Sequence, residues 1–135
     1  MISCLFGLVL SSVTLECIDW YPGYERIDAI AEQVHVLDGD TIVYSDTLRI
    51  RLIGFDTPEL SGLCVQETKM AKEAKWRLTQ LVASGAALSF VTTNETDKYG
   101  RLLSHLLVDG RDVGEILISE NLARSYSGGK RGSWC

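Results

Sequence analysis

The chain has 135 residues, 46% hydrophobic and 23% charged, with 12 glycines and two prolines, enough apolar material for one core of ordinary domain size. That balance excludes collagen-like, proline-rich and polar disordered chains, and no apolar run reaches the roughly 18 residues a membrane-spanning helix requires, so stable membrane insertion is not expected. Thirteen basic against eighteen acidic side chains leave a net charge of −5, which excludes a uniformly basic surface; residues 1–31 hold four acids against Arg26 alone, so the other 104 residues stand at only −2.

Residues 1–31 read as an N-terminal leader, either a signal peptide or a structured extension, because Ile2 to Leu15 is apolar yet no Lys or Arg precedes it. A leader would favour a secreted or periplasmic location over the cytoplasm. Asp19 to Ala31, with Tyr-Pro-Gly inside it, reads as a linker or short helix. Residues 32–135 form the domain proper. Gln33 to Leu37, Thr41 to Tyr44 and Leu48 to Ile53 alternate as strands, with a polar turn at Ser45-Asp46. Cys64 to Val82 spaces Met70, Ala71, Ala74, Leu78 and Leu81 at helical intervals. Ala87 to Thr93 and Leu102 to Val108 are two further strands, and Asp112 caps a helix to Asn121. The order βββαββα predicts an α+β fold: a small five-stranded OB-fold-type β-barrel with two to three helices.

Three charged segments border these strands: Asp38-Gly-Asp-Thr41, Arg51 with Asp56-Thr-Pro-Glu59, and Asp97-Lys-Tyr-Gly-Arg101. Asp40 and Asp56 brought to one end of the barrel would make a half-filled site for a hard divalent cation such as Ca²⁺. Glu59 follows a proline that fixes its backbone and suits a general base. Arg51 and Arg101 are permanently charged forks matched to the oxygens of a phosphoryl transition state. Each segment also has a plainer reading, since Asp-Gly is a strong hairpin dipeptide and a strand arginine is commonly one half of a weak surface ion pair.

Taken together, and with Arg51-Leu-Ile-Gly-Phe-Asp-Thr-Pro-Glu59 and Asp112-Val-Gly-Glu-Ile-Leu-Ile-Ser-Glu-Asn-Leu-Ala123 in the same order, these segments resemble the staphylococcal nuclease (thermonuclease) family over residues 33–126. The resemblance implies a Ca²⁺ site formed by Asp40, Asp56 and the Thr57 carbonyl, and catalysis by Arg51, Glu59 and Arg101. It implies cleavage of the P–O5′ bond of DNA or RNA by in-line attack of a water activated by Glu59, leaving 3′-phosphate ends. Lys98 and Tyr99 would lie beside nucleotide phosphates and Tyr126 near a base, in a protein acting as a monomer. The segment between Glu59 and the helix is short, and a tail, Gly128-Gly-Lys-Arg-Gly-Ser-Trp-Cys135, stands where relatives continue into another helix. The alternative is a non-catalytic OB-fold module that binds nucleic acid or another protein.

Cys4, Cys17, Cys64 and Cys135 contain no Cys-x-x-Cys pair, which argues against a zinc site. In an exported chain Cys64 pairs with Cys135; in a cytosolic one all four are thiols. His35 and His105 lie in alternating strands without metal-ligand spacing and read as structural, outside the site.

Overall fold

Apolar alternation and one long amphipathic helix build most of what is seen in a computed structural model, which describes residues 23–135. The leader reading for residues 1–22, with Cys4 and Cys17, lies outside the described residues. Strand β1 (Glu25–Ala29) precedes a 3₁₀ turn (Ala31–Gln33), then β2 (Val34–Asp38), β3 (Thr41–Tyr44), β4 (Leu48–Leu52) and the two-residue β5 (Phe55–Asp56). Helix α1 (Val65–Ala83) leads to β6 (Leu88–Thr96), β7 (Leu102–Val108), the short β8 (Arg111–Asp112), α2 (Val113–Ser119) and β9 (Arg124–Ser125).

The main sheet runs β1-β6-β7-β4-β3-β2, with β8 attached to β7, and β5 pairs with β9 in a separate ribbon. All neighbours are antiparallel except β4 and β7, where Arg51 stands opposite Leu103 and Leu52 opposite Ser104. The fold is α+β with two helices, and β2, β3, β4, β7 and β6 are the five expected strands. The ladder does not close into a barrel; it ends at β1 and β2. Residues 25–29 are a strand rather than linker or helix, because the free edge of β6 takes them up in register from Glu25 opposite Thr92 to Ala29 opposite Leu88.

Helix α1 starts where the Cys64 Sγ accepts a hydrogen bond from the Glu67 N–H at 3.4 Å, and the buried Glu67 carboxylate accepts from the Leu63 N–H at 2.9 Å. Two otherwise orphaned donors are thereby satisfied. Ala71, Ala74, Leu78 and Leu81 face the core, as their spacing predicts, where they join Ile42, Ile50, Leu52, Phe55, Phe90, Leu106 and Leu117. The Asp112 carboxylate caps α2 through the Gly114 N–H at 2.7 Å. A disulfide joins Cys64 to Cys135 across 71 residues, the pairing expected for an exported chain, and ties the end of the tail to the start of α1. Among the described residues no helix is long and apolar enough to cross a membrane.

Gly39, at the β2–β3 turn, is packed so closely that a Cβ there would lie 2.8 Å from Thr57 side-chain atoms and 2.9 Å from the Ala74 Cβ. Those neighbours are a buried threonine and the helix itself, so they cannot yield freely. Gly39→Ala is expected to lower unfolding stability by about 1–3 kcal/mol, as overpacking of a filled interior does. An unchanged urea midpoint would show that the turn is looser than this contact implies.

Candidate active site

Strand β4 carries Arg51 inward, only 6% exposed, so bulk water can do little to solvate its guanidinium. The charge is instead met by protein oxygens: Nη1 donates to the Leu52 carbonyl, Nη2 donates to the Phe55 carbonyl at 3.2 Å, and Nη2 lies 3.3 Å from Asp40 Oδ2 and 3.6 Å from Asp56 Oδ1. Asp40, at the β2–β3 turn, is 4% exposed, and Asp56, at the end of β5, is 1% exposed. Two carboxylates from separate loops therefore meet at one guanidinium. Thr57, also buried, donates its hydroxyl and backbone N–H to Asp40 Oδ2 at 3.1 and 3.3 Å, which fixes that carboxylate relative to β5.

Glu59 joins this group through Arg131, a residue of the tail to which the sequence assigns no role in the site. Arg131 reaches back to contact Glu59 Oε1 with Nη1, while its Nε lies 3.4 Å from Asp56 Oδ1. Arg101, immediately before β7, pairs with Asp97 at 2.7 Å, the Asp97 carboxylate also accepting from the backbone N–H groups of Tyr99 and Arg101. Burial pushes the Asp97 carboxyl up, but these hydrogen bonds and the Arg101 charge outweigh it and hold it below its ordinary value. Arg51, Arg101, Lys98, Tyr99, Tyr126 and Arg131 all line one cleft of about 810 Å³. The Tyr99 ring is exposed, with Lys98 Nζ 5.1 Å and the Arg101 guanidinium 5.4 Å from its centroid. Tyr126 lines the cleft with its hydroxyl donating to the Gly129 carbonyl at 2.6 Å.

His105, read from the sequence as structural, also lines this cleft. Alternation along β7 buries Leu102, Ser104 and Leu106, which turns Leu103 and His105 toward the cleft wall. The His105 Nδ1 lies 2.7 Å from Asp112 Oδ2, so the carboxylate that caps α2 also orients this ring. Asp38 is a second residue whose importance only the fold reveals. Its Oδ1 accepts from the Asp40 N–H at 3.1 Å, and burial together with the neighbouring Asp40 charge raises its carboxyl to about 7.

Asp56 Oδ1 is buried and accepts no hydrogen bond, leaving the two guanidinium charges to offset it. Burial also raises the Asp56 carboxyl, with Arg131 and Arg51 opposing the shift. A desolvated carboxylate oxygen beside a second carboxylate is a hard donor set that fits a divalent cation of the Ca²⁺ type. Among the described residues no three His, Cys, Asp or Glu side chains form a ready ligand cluster. Carbonyl, water or substrate oxygens would have to complete the shell.

A family model described as "Staphylococcal nuclease homologue" matches residues 49–132. "Endonuclease YncB" of Bacillus subtilis is 44% identical over 96 residues, covering 65% of this chain and 44% of that protein. "SPbeta prophage-derived endonuclease YokF", also of Bacillus subtilis, is 44% identical over 108 residues, covering 74% of this chain and 34% of that protein. The chain thus spans less than half the length of these two relatives.

The raised Asp38 value has a pH consequence. The folded state favours the protonated acid, so its stabilisation is complete below the ordinary value near 3.8 and is lost as pH rises through about 7. In buffer containing chelator, Asp38→Asn is therefore expected to gain stability relative to the parent at pH 8 compared with pH 5. Equal differences in urea midpoint at the two pH values would contradict this assignment.

Proposed function

The chain belongs to the staphylococcal nuclease homologue family, and from that premise we propose that it is a Ca²⁺-dependent nuclease that hydrolyses phosphodiester bonds of DNA and RNA. The observation that carries this reading is the meeting of Asp40 and Asp56 on the guanidinium of Arg51, a residue that lines one cleft with Arg101, Lys98 and Tyr99. A cleft with cations and an exposed aromatic ring suits a phosphodiester backbone with unstacked bases. YncB and YokF, both named endonucleases, support the same reaction class.

Asp40, Asp56 and the Thr57 carbonyl would hold the cation, which when bound supplies positive charge to the scissile phosphate and lowers the cost of deprotonating a neighbouring water. Glu59 accepts the proton of the attacking water as the new P–O bond forms in line with the departing O5′. Arg51 and Arg101 meet the charge that develops on the phosphoryl oxygens, an electrostatic contribution fixed in advance by the sheet. Lys98 and Tyr99 hold a flanking phosphate, and Tyr126 bounds the nucleotide pocket. The contacts favour phosphate over base edges, so little sequence preference is expected. The reading takes the protein as a monomer, and the Cys64–Cys135 disulfide favours an oxidising, extracytoplasmic setting.

Purified protein incubated with single-stranded DNA should cleave in Ca²⁺ and stop on chelation. Glu59→Gln and Arg101→Ala should each lower kcat by about 10²–10³-fold, the loss typical of removing one preorganised group, while oligonucleotide affinity changes far less. Binding without cleavage by the parent protein would favour the module reading. Cleavage by both variants at the parent rate would remove the assigned roles.

A further inference from the structure

The C-terminal tail lies outside every strand and helix beyond Ser125, yet it is held at three separate points. The Tyr126 hydroxyl donates to the Gly129 carbonyl, closing a turn at its start. The Arg124 guanidinium stacks on the Trp134 ring at 3.5 Å and donates to the Ser133 carbonyl at 3.0 Å. The Cys64–Cys135 disulfide then fixes the last residue to the cap of α1. Between the first anchor and the other two, the tail carries Arg131 across to Glu59 and Asp56. Neither carboxylate comes from the tail's own neighbourhood in sequence; β5 and the loop after it supply both.

We propose that this tethered tail is a built part of the active site, and that it delivers Arg131 as the residue that positions the Glu59 carboxylate. The inference rests on the nuclease reading and adds to it a third guanidinium besides Arg51 and Arg101. Glu59 needs such a partner. Its side chain is 43% exposed, on a loop without regular structure, and a long side chain left free there would spend most of its time away from a reacting water. Arg131 supplies two contacts from one rigid fork, Nη1 to Glu59 and Nε toward Asp56, so it ties the base to the carboxylate assigned to the cation. The disulfide removes the freedom that would otherwise let the tail carry that fork elsewhere.

The test measures kcat, KM and oligonucleotide Kd in Ca²⁺ for the parent, Arg131→Ala, Arg131→Lys, Cys135→Ser and the Arg131→Ala/Cys135→Ser double variant, with circular dichroism and thermal melting to show that each is folded. Cys64 stays intact because its sulfur caps α1. Arg131→Ala is expected to lower kcat by about 10–100-fold, the scale of a base misplaced by an ångström or so, with a clearly smaller change in Kd from the loss of one cleft cation. Arg131→Lys should recover part of that loss, since one ammonium replaces the charge but not the two-point fork. Cys135→Ser should fall in the same direction, and the double variant should be no worse than Arg131→Ala alone, because both changes remove one device. Arg131→Ala at parent kcat, a loss confined to KM and Kd, or fully additive losses in the double variant would each overturn the inference while leaving the nuclease reading intact. Absence of cleavage by the parent would overturn both.

Discussion

A buried guanidinium with nowhere to go is the constraint on which the site depends. Arg51 sits on a central strand, opposite Thr41 on β3 and Leu103 on β7, so its backbone is fixed from both sides. Its charge, withdrawn from water, would be prohibitive alone. Two carbonyls and two carboxylates resolve it, and that resolution dictates where the β2–β3 turn and the end of β5 must lie. Conversely, Asp40 and Asp56 would repel one another at this spacing without a cation between them. Structure and proposed chemistry therefore call on the same residue: the arginine that steadies the acids in the folded chain is also the one the nuclease reading assigns to the phosphate.

The acidic total charge of the chain is compatible with a polyanionic substrate because the charges are unevenly placed. Arg51, Lys98, Arg101 and Arg131 line one cleft together with Asp97, and the arginines are paired there with Asp40, Asp56, Glu59 and Asp97, while acids such as Glu25, Asp28 and Glu120 pair with other residues away from it. Long-range steering of nucleic acid to the protein would be weak, and binding would depend on contacts made after encounter. An exposed Tyr99 flanked by two cations fits that short-range mode, since stacking and phosphate pairing operate only at contact.

Much of this is legible in the amino-acid sequence. Period-2 runs such as Leu48 to Leu52 and helical spacing from Ala71 to Leu81 reflect burial on one face, which is what sheet and helix packing require. Asp40 and Asp56 stood out because charges at strand ends demand a reason. Strand β1 was not legible: its Glu25 and Asp28 are exposed, and only the open edge of β6 makes it a strand. The open sheet went unforeseen for the same reason, since edge pairing is a tertiary matter. Arg131 was hidden more deeply. Some 72 residues separate it from Glu59, and although the expected Cys64–Cys135 pairing returns the tail to α1, no local pattern shows which acid its arginine meets. His105 lacked ligand spacing, and its place on the cleft wall follows from its register along β7.

The central claim is that Arg51 and the two acids form one energetic unit. A double-mutant cycle on unfolding free energy, using Arg51→Met and Asp40→Asn, tests it most directly. Each single change should cost about 3–5 kcal/mol, because each leaves buried charge without its partner. Together they should cost less than the sum by about 1–3 kcal/mol, the coupling expected of groups in one buried network. Strict additivity would contradict the account, for it would mean that the guanidinium and the carboxylate are neighbours in space without depending on one another.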